Sequence, residues 1–139
     1  MIVLDTNVIS ALTRPEPARQ VIDWLDQQDG DQVFVTSITI GELLYGLARM
    51  PAGTRRANLT VKLSRLLDDL FDSQALEYTG RAGVEYAKVV HSRTRQGRPI
   101  EAPDAQIAAI CRLHKASLAT RNTRDFAETG VRLIDPWTQ

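Results

Sequence analysis

The sequence predicts a three-layer α/β fold with a mostly parallel central sheet, and three observations predict it. Residues 2–4, 33–36, 117–120 and 131–134 are short apolar runs of strand length. The stretches between them carry apolar residues at intervals of three and four, the period of a helix with one buried face. Strands that alternate with helices assemble into a mostly parallel sheet covered on both sides. The third observation is that four acids, Asp5, Glu42, Asp104 and Asp125, each fall near a predicted end of an element. In such a sheet, side chains beyond the carboxyl ends of the strands converge although their numbers are far apart.

Residues 2–4 stop at an acid and read as a buried parallel strand. A short helix follows over 7–12, with Asn7 as its cap and Pro15 as its stop. Pro17 fits the first turn of a second helix, with Val21, Ile22, Trp24 and Leu25 inward and an end toward Asp29-Gly30. After the strand at 33–36, Thr39 and Glu42 stand three apart in the capping-box pattern. They open a helix carrying Leu43, Leu44, Leu47 and Met50, which breaks at Pro51-Ala52-Gly53. Over 54–71, Leu59, Leu63, Leu66, Leu67 and Leu70 form one apolar stripe, whose ordinary fate is burial in a core. Thr79 caps a helix running to residue 95, with Val84, Ala87 and Val90 or His91 inward and Gly97 at its C-terminal position. Residues 101–115 give another helix, with Pro103 in its first turn, and 117–120 and 131–134 close the count as strands. No linker, repeat or low-complexity tract divides the chain, so residues 1–139 read as one domain.

Composition narrows the function. A hydrophobic content of 43% over 139 residues supports a core without disulfides or structural metal. The single Cys111 lies in an apolar helical stretch and reads as a small buried thiol, consistent with a reducing, cytoplasmic home. No basic segment leads into an apolar one at the start, and no window approaches the length of a membrane span, so neither export nor a membrane is expected. Seventeen basic and seventeen acidic residues cancel, and the whole molecule shows no basic footprint of a nucleic-acid binder. Fourteen of the cations are Arg, whose planar fork grips phosphate, but the simplest reading of the clusters Arg55-Arg56 and Arg93, Arg95, Arg98 is a solvated surface.

Each acid also has a structural explanation. Glu42 completes a capping box, Asp104 beside Pro103 complements a helix dipole, and Asp125 can cap the turn before Phe126. Asp5 lacks such a role, since a buried strand needs no acid at its end and Asn7 already caps the helix. Converging carboxylates repel, by roughly 4 kcal/mol per pair at 4 Å and an effective dielectric near 20, unless a proton or cation intervenes. Hard divalent cations with oxygen ligands are the usual remedy.

The order of these segments closely resembles the PIN-domain family, and within it the VapC and FitB type of toxin ribonuclease. The resemblance is carried by Leu4-Asp5-Thr6-Asn7-Val8-Ile9-Ser10, by Ser37-Ile38-Thr39-Ile40-Gly41-Glu42-Leu43 with Gly46, by Pro103-Asp104-Ala105-Gln106, and by Thr120-Arg121-Asn122-Thr123-Arg124-Asp125-Phe126. It runs through the Asp135-Pro136-Trp137 tail. It implies an endoribonuclease with Asp5, Glu42 and Asp104 as metal-site acids and with Thr6, Asn7 and Thr120 near the site. Where relatives often carry an acid after the Thr-Arg pair, this chain has Asn122, so Asp125 is taken as the fourth acid with Asn122 as a contributor. Mg²⁺ suits an acid cluster with no His or Cys partner, and Mn²⁺ can substitute for it. His91 and His114 lie away from these motifs and read as surface or packed residues. The resemblance further implies tRNA or ribosomal RNA as substrate, a cognate antitoxin that blocks the site, a homodimer within a larger complex, and DNA contact only through the antitoxin. The leucines of 43–47 and 59–70 are candidates for those interfaces. Two rivals remain: a catalytically silent PIN-like interaction module, against which the intact acids argue, and a phosphotransfer receiver, which would need a second acid or a placed Lys beside Asp5.

Overall fold

The computed structural model describes residues 1–71 and 73–139, Phe71 by its backbone alone. The chain runs β1 (Ile2–Leu4), α1 (Thr6–Thr13), α2 (Arg19–Asp26), β2 (Val33–Thr36), α3 (Ser37–Ala48), α4 (Thr54–Phe71), β3 (Ala75–Leu76), α5 (Gly80–Arg95), α6 (Ala102–His114), β4 (Ser117–Ala119) and β5 (Leu133–Ile134). The strands form one sheet in the order β3-β2-β1-β4-β5, and every pairing is parallel. The sheet grows from β1 toward β2 and β3, then returns to the other side of β1 for β4 and β5. That reversal puts a topological switch point between β1 and β4, where a crevice opens beyond the strand ends.

Side chains alternate across the sheet as a strand's period of two requires. Leu4, Val33, Val35 and Ala119 enter one core with Val8, Val21, Leu43 and Leu63 from α1, α2, α3 and α4. Val3 and Leu118 enter the other with Val89 of α5, Ile107, Ala108 and Cys111 of α6, and Phe126. The expected three layers follow, with α1 to α4 on one face and α5 and α6 on the other. The leucine stripe of α4 behaves as core, with Leu63, Leu67 and Leu70 buried and Leu59 and Leu66 half-buried. Cys111 is fully buried, and burial pushes its thiol up to about 12, so it stays protonated and inert.

Several local expectations are corrected. The cap of α1 is Asp5, not Asn7, and the helix opens one residue earlier than expected. Pro17 precedes α2 instead of occupying its first turn, because the chain at Ala18 is still extended. The cap of α3 is Thr36, whose hydroxyl accepts from the Thr39 N–H at 3.1 Å, so Thr39 and Glu42 do not form a capping box. On α5 the buried side chains are Ala82, Val89 and Arg93, and Val90 packs half-buried against the same core as expected, whereas Val84, Ala87 and His91 are exposed. The cause is Arg93, a cation that this face buries because its N–H groups meet backbone carbonyls. The ends of α5 follow expectation: Thr79 caps it through the Ala82 N–H, and Gly97 at φ +70 closes it in a Schellman turn. Residue 120 lies past β4, and β5 starts at Leu133 instead of residue 131. The two-residue β3 has no counterpart among the strands read from the sequence.

Candidate active site

Asp5 stands where β1 ends and α1 begins, at the switch point. Its backbone N–H donates to the Ala119 carbonyl at 2.9 Å, which ties it to the end of β4. The residue is 4% exposed, and its carboxylate accepts three hydrogen bonds. The Thr6 N–H reaches Oδ1 at 2.8 Å, and Asn7 Nδ2 and the Thr120 hydroxyl reach Oδ2 at 3.0 and 2.8 Å. Burial raises the Asp5 pKa above its ordinary value and the charge of Glu42 raises it further, while the bonds from Thr120, Thr6 and Asn7 pull it down.

The partners of Asp5 are themselves cross-braced. Asn7 Nδ2 also lies 3.2 Å from the Thr120 hydroxyl, and the Asn7 side-chain oxygen accepts from the Arg121 N–H at 3.1 Å. The Asn122 N–H donates to Thr120 Oγ1 at 3.0 Å. One small network therefore sets the rotamer of Asp5 and the path of the chain after β4.

Glu42 arrives from the second turn of α3. It shares a helix face with Thr39 three residues earlier, and both meet Thr6 of α1. The Thr6 hydroxyl donates to Glu42 Oε1 at 2.8 Å and lies 3.2 Å from Thr39 Oγ1. Glu42 is exposed, so it faces solvent while Thr6 holds one of its oxygens.

Asp104 comes from the opposite layer, in the first turn of α6. Burial and then the charges of Asp5, Asp125, Glu42 and Glu101 push its carboxyl up to about 6. The helix dipole acts the other way, but its worth is about 0.3–1 kcal/mol, less than the effect of burial and four negative neighbours.

Asp5, Glu42 and Asp104 line one cleft of about 510 Å³ together with Thr6, Asn7 and Asn122. Thr120 lies behind Asp5, as its hydrogen-bond partner. Asp125 is exposed and does not line the cleft. It stands a turn beyond Asn122, whose carbonyl accepts the Asp125 N–H at 3.0 Å, near enough for its charge to raise Asp104. Two Arg93 bonds hold this loop from below, from Nη1 to the carbonyls of Asp125 at 2.8 Å and Ala127 at 3.0 Å. Arg93 is thus a buried brace and not part of a solvated cluster.

The donor set consists of carboxylates, hydroxyls and side-chain amides, which offer hard oxygen ligands. Among the described residues no three acidic, His or Cys side chains close around one point. An ion that keeps several waters and takes one or two carboxylates fits this arrangement, which is the habit of Mg²⁺, whereas an all-protein cage for Ca²⁺ or Zn²⁺ does not. The raised values of Asp5 and Asp104 indicate the same need, since two carboxylates that resist ionisation gain from a nearby cation. His91 and His114 are exposed and take no part.

Sequence reasoning missed five residues of the cleft wall: Ser10, Ala11, Arg14, Arg121 and Trp137. Arg121 and Trp137 sit inside segments that carry the family resemblance, but nothing in their local spacing marks them. A second, larger groove of about 920 Å³ lies between α1, α3 and α4, floored by Leu43, Leu47, Leu59 and Leu63, which are among the leucines the sequence offered as interface candidates. It shares Thr6, Ser10, Arg14 and Glu42 with the acid cleft.

The PIN domain family profile matches residues 2–131 of this chain. The VapC ribonuclease Y4jK of Sinorhizobium fredii is 38% identical over 137 residues, covering 99% of this chain and 98% of that protein. Toxin FitB of Neisseria gonorrhoeae is 34% identical over 137 residues, covering 99% of each. The crystal structure of FitAcB from Neisseria gonorrhoeae superposes with a TM-score of 0.92 at 34% identity, with 100% of both chains covered.

Proposed function

The chain belongs to the PIN-domain family, and from that premise we propose that it is the toxin ribonuclease of a toxin–antitoxin pair, cutting RNA phosphodiester bonds at the cleft of Asp5, Glu42 and Asp104. One observation carries the reading. Three acids from three separate parts of the fold meet in one cleft, and side-chain hydrogen bonds hold two of them in place there. A silent interaction module would have no use for two carboxylates whose pKa values are raised.

A divalent cation belongs to nucleases of this family, and we assign it as Mg²⁺, replaceable by Mn²⁺, held by Asp5 and Asp104 with Asp125 outside as a further negative charge. When bound it would polarise the scissile phosphate and acidify an attacking water. The protein's own residues do the rest. Thr6, Asn7 and Thr120 fix Asp5 so that both oxygens keep their direction. Thr6 occupies one oxygen of Glu42 and leaves the other to orient the attacking water. Asn122 offers an uncharged oxygen at the cleft wall. Asp125 adds charge from beyond it.

The larger groove is the seat we assign to the antitoxin. Its floor is leucine and its lining includes Arg14, Arg55, Lys62 and Arg65, which suits a partner segment with apolar anchors and acidic flanks. Because the groove runs into the acid cleft through Thr6 and Glu42, a bound partner would also cover the catalytic acids. Leu44 at 44% exposure and Tyr45 at 65% lie on the outer face of α3 and are candidates for contact with a second copy of the chain. No described helix is long and apolar enough to cross a membrane, and a cytoplasmic site of action fits an RNA substrate. Whether that RNA is tRNA or ribosomal RNA is tested by pulsed expression followed by mapping of new RNA ends. Discrete new ends are expected with the natural chain and none with Asp5→Asn or Asp104→Asn. Growth arrest without new ends would overturn the ribonuclease reading.

A further inference from the structure

The acid cleft has cations in its wall. Arg121 and Arg14 line it beside the carboxylates, yet neither takes part in an ion pair among the described residues. An arginine beside three carboxylates gains by pairing with one of them. Arg121 does not pair, and its conformation shows why. Its guanidinium carbon lies 5.0 Å from the centre of the Trp137 ring, stacked over the indole. A guanidinium this close over an aromatic face is attracted by the ring quadrupole and keeps its N–H donors for other partners.

Both halves of this stack are anchored. The Arg121 backbone N–H donates to the Asn7 side-chain oxygen at 3.1 Å, and Asn7 donates in turn to Asp5, so the arginine and the first acid share one brace. Trp137 packs on the core beneath α1 to α4, and its backbone N–H donates to Asp135 Oδ1 at 2.9 Å, which fixes the turn that presents the ring. The cleft therefore carries carboxylates and a guanidinium that do not neutralise one another. The carboxylates fit a metal ion, and the planar donor fork fits an anion that bridges the two.

We propose that Arg121, stacked on Trp137, is the phosphate grip of this cleft. It takes the non-bridging oxygens of an RNA backbone phosphate adjacent to the bond that is cut. Trp137 acts as a positioning residue by holding the guanidinium away from Asp5, Glu42 and Asp104. This role rests on the ribonuclease reading above, and within it assigns binding of substrate to one side chain that holds no metal and its positioning to a second.

The test separates charge from geometry. Binding of a labelled single-stranded RNA oligomer is measured by fluorescence anisotropy across a salt series, with the Asp104→Asn chain as the background that holds RNA without cutting it. Arg121→Gln is expected to reduce the slope of log affinity against log salt by about 0.7, the loss of one phosphate contact on a single strand. In the otherwise unaltered chain it raises KM by about tenfold or more, as the loss of a charged hydrogen bond requires. Arg121→Lys keeps the slope but lowers kcat, since the point charge remains and the planar fork is gone. Trp137→Ala keeps the slope and weakens binding, and Trp137→Phe recovers most of the loss. Melting temperatures stay close to that of the parent in the Arg121 variants. A slope unchanged in Arg121→Gln, or lost equally in Arg121→Lys, overturns the grip. If the unaltered chain cuts no RNA with any divalent cation, the ribonuclease reading fails and the grip falls with it. If it cuts RNA and Arg121→Gln leaves both slope and KM unchanged, only the grip is wrong.

Discussion

Replacing Asp104 by Asn separates a catalytic acid from a structural one, because the two roles predict opposite changes in stability. In the metal-free protein the Asp104 carboxyl is pushed from 3.8 to about 6, first by burial and then by its acidic neighbours. Between those two values the folded state binds more protons than the unfolded chain, so stability falls as pH rises through that window. The full rise corresponds to a ceiling of about 3 kcal/mol at neutral pH. Partial solvation of the half-buried group and the dipole of α6, worth about 0.3–1 kcal/mol, reduce this to an expected net gain of about 1–2 kcal/mol when the charge is removed. For a chain of this size that is a rise in melting temperature of roughly 3–8 °C. The assay is a thermal melt of the metal-free parent and of the Asp104→Asn chain, near pH 7.5 and again near pH 4. The variant should melt higher than its parent at the upper pH, show little or no advantage at the lower one, and cut no RNA. A variant less stable than the parent near pH 7.5 would refute the reasoning, since it would show that the charge of Asp104 supports the fold.

Other substitutions probe the braces around the acids. Thr120→Val removes the 2.8 Å bond to Asp5 and the acceptor of the Asn122 N–H. It should cost about 1–2 kcal/mol in denaturant titrations while lowering kcat more than it changes KM. Arg93→Met leaves the carbonyls of Arg98, Asp125 and Ala127 without their donor, and should destabilise by about 3 kcal/mol or more, read as a lower denaturation midpoint. Asn122→Ala should impair cleavage more than Asp125→Asn, because Asn122 lines the cleft and Asp125 acts only through its charge. The reverse ranking in single-turnover rates would put Asp125 at the metal.

The layers, the leucine stripe and the convergence of Asp5, Glu42 and Asp104 are legible because each leaves a periodic or positional mark in the sequence. What escapes leaves no such mark. The strand β3 is two residues long, too short for alternation to show, and is placed by Gln74, whose carbonyl accepts the Val35 N–H at 2.9 Å. The inner face of α5 is hidden because hydrophobicity ranks Arg93 outward, whereas three backbone carbonyls satisfy it inside. Spacing makes Glu42 half of a capping box, yet Thr36 takes that duty, and the freed carboxylate bonds instead to Thr6 on another helix. Arg121 and Trp137 meet through two loop conformations, and no local pattern reports a stack formed that way.

The cleft of Asp5, Glu42 and Asp104 is held here to cut RNA with the help of a divalent cation. The most direct test is the cleavage rate of RNA by the purified chain, stripped of metal and of any partner, as free Mg²⁺ is raised from zero. The expected result is no cleavage without a divalent ion, a saturable rise with Mg²⁺ or Mn²⁺, and a flat response in Asp5→Asn and Asp104→Asn chains that still melt cooperatively. Cleavage in the presence of a chelator, or an undiminished rate in either folded variant, would contradict it.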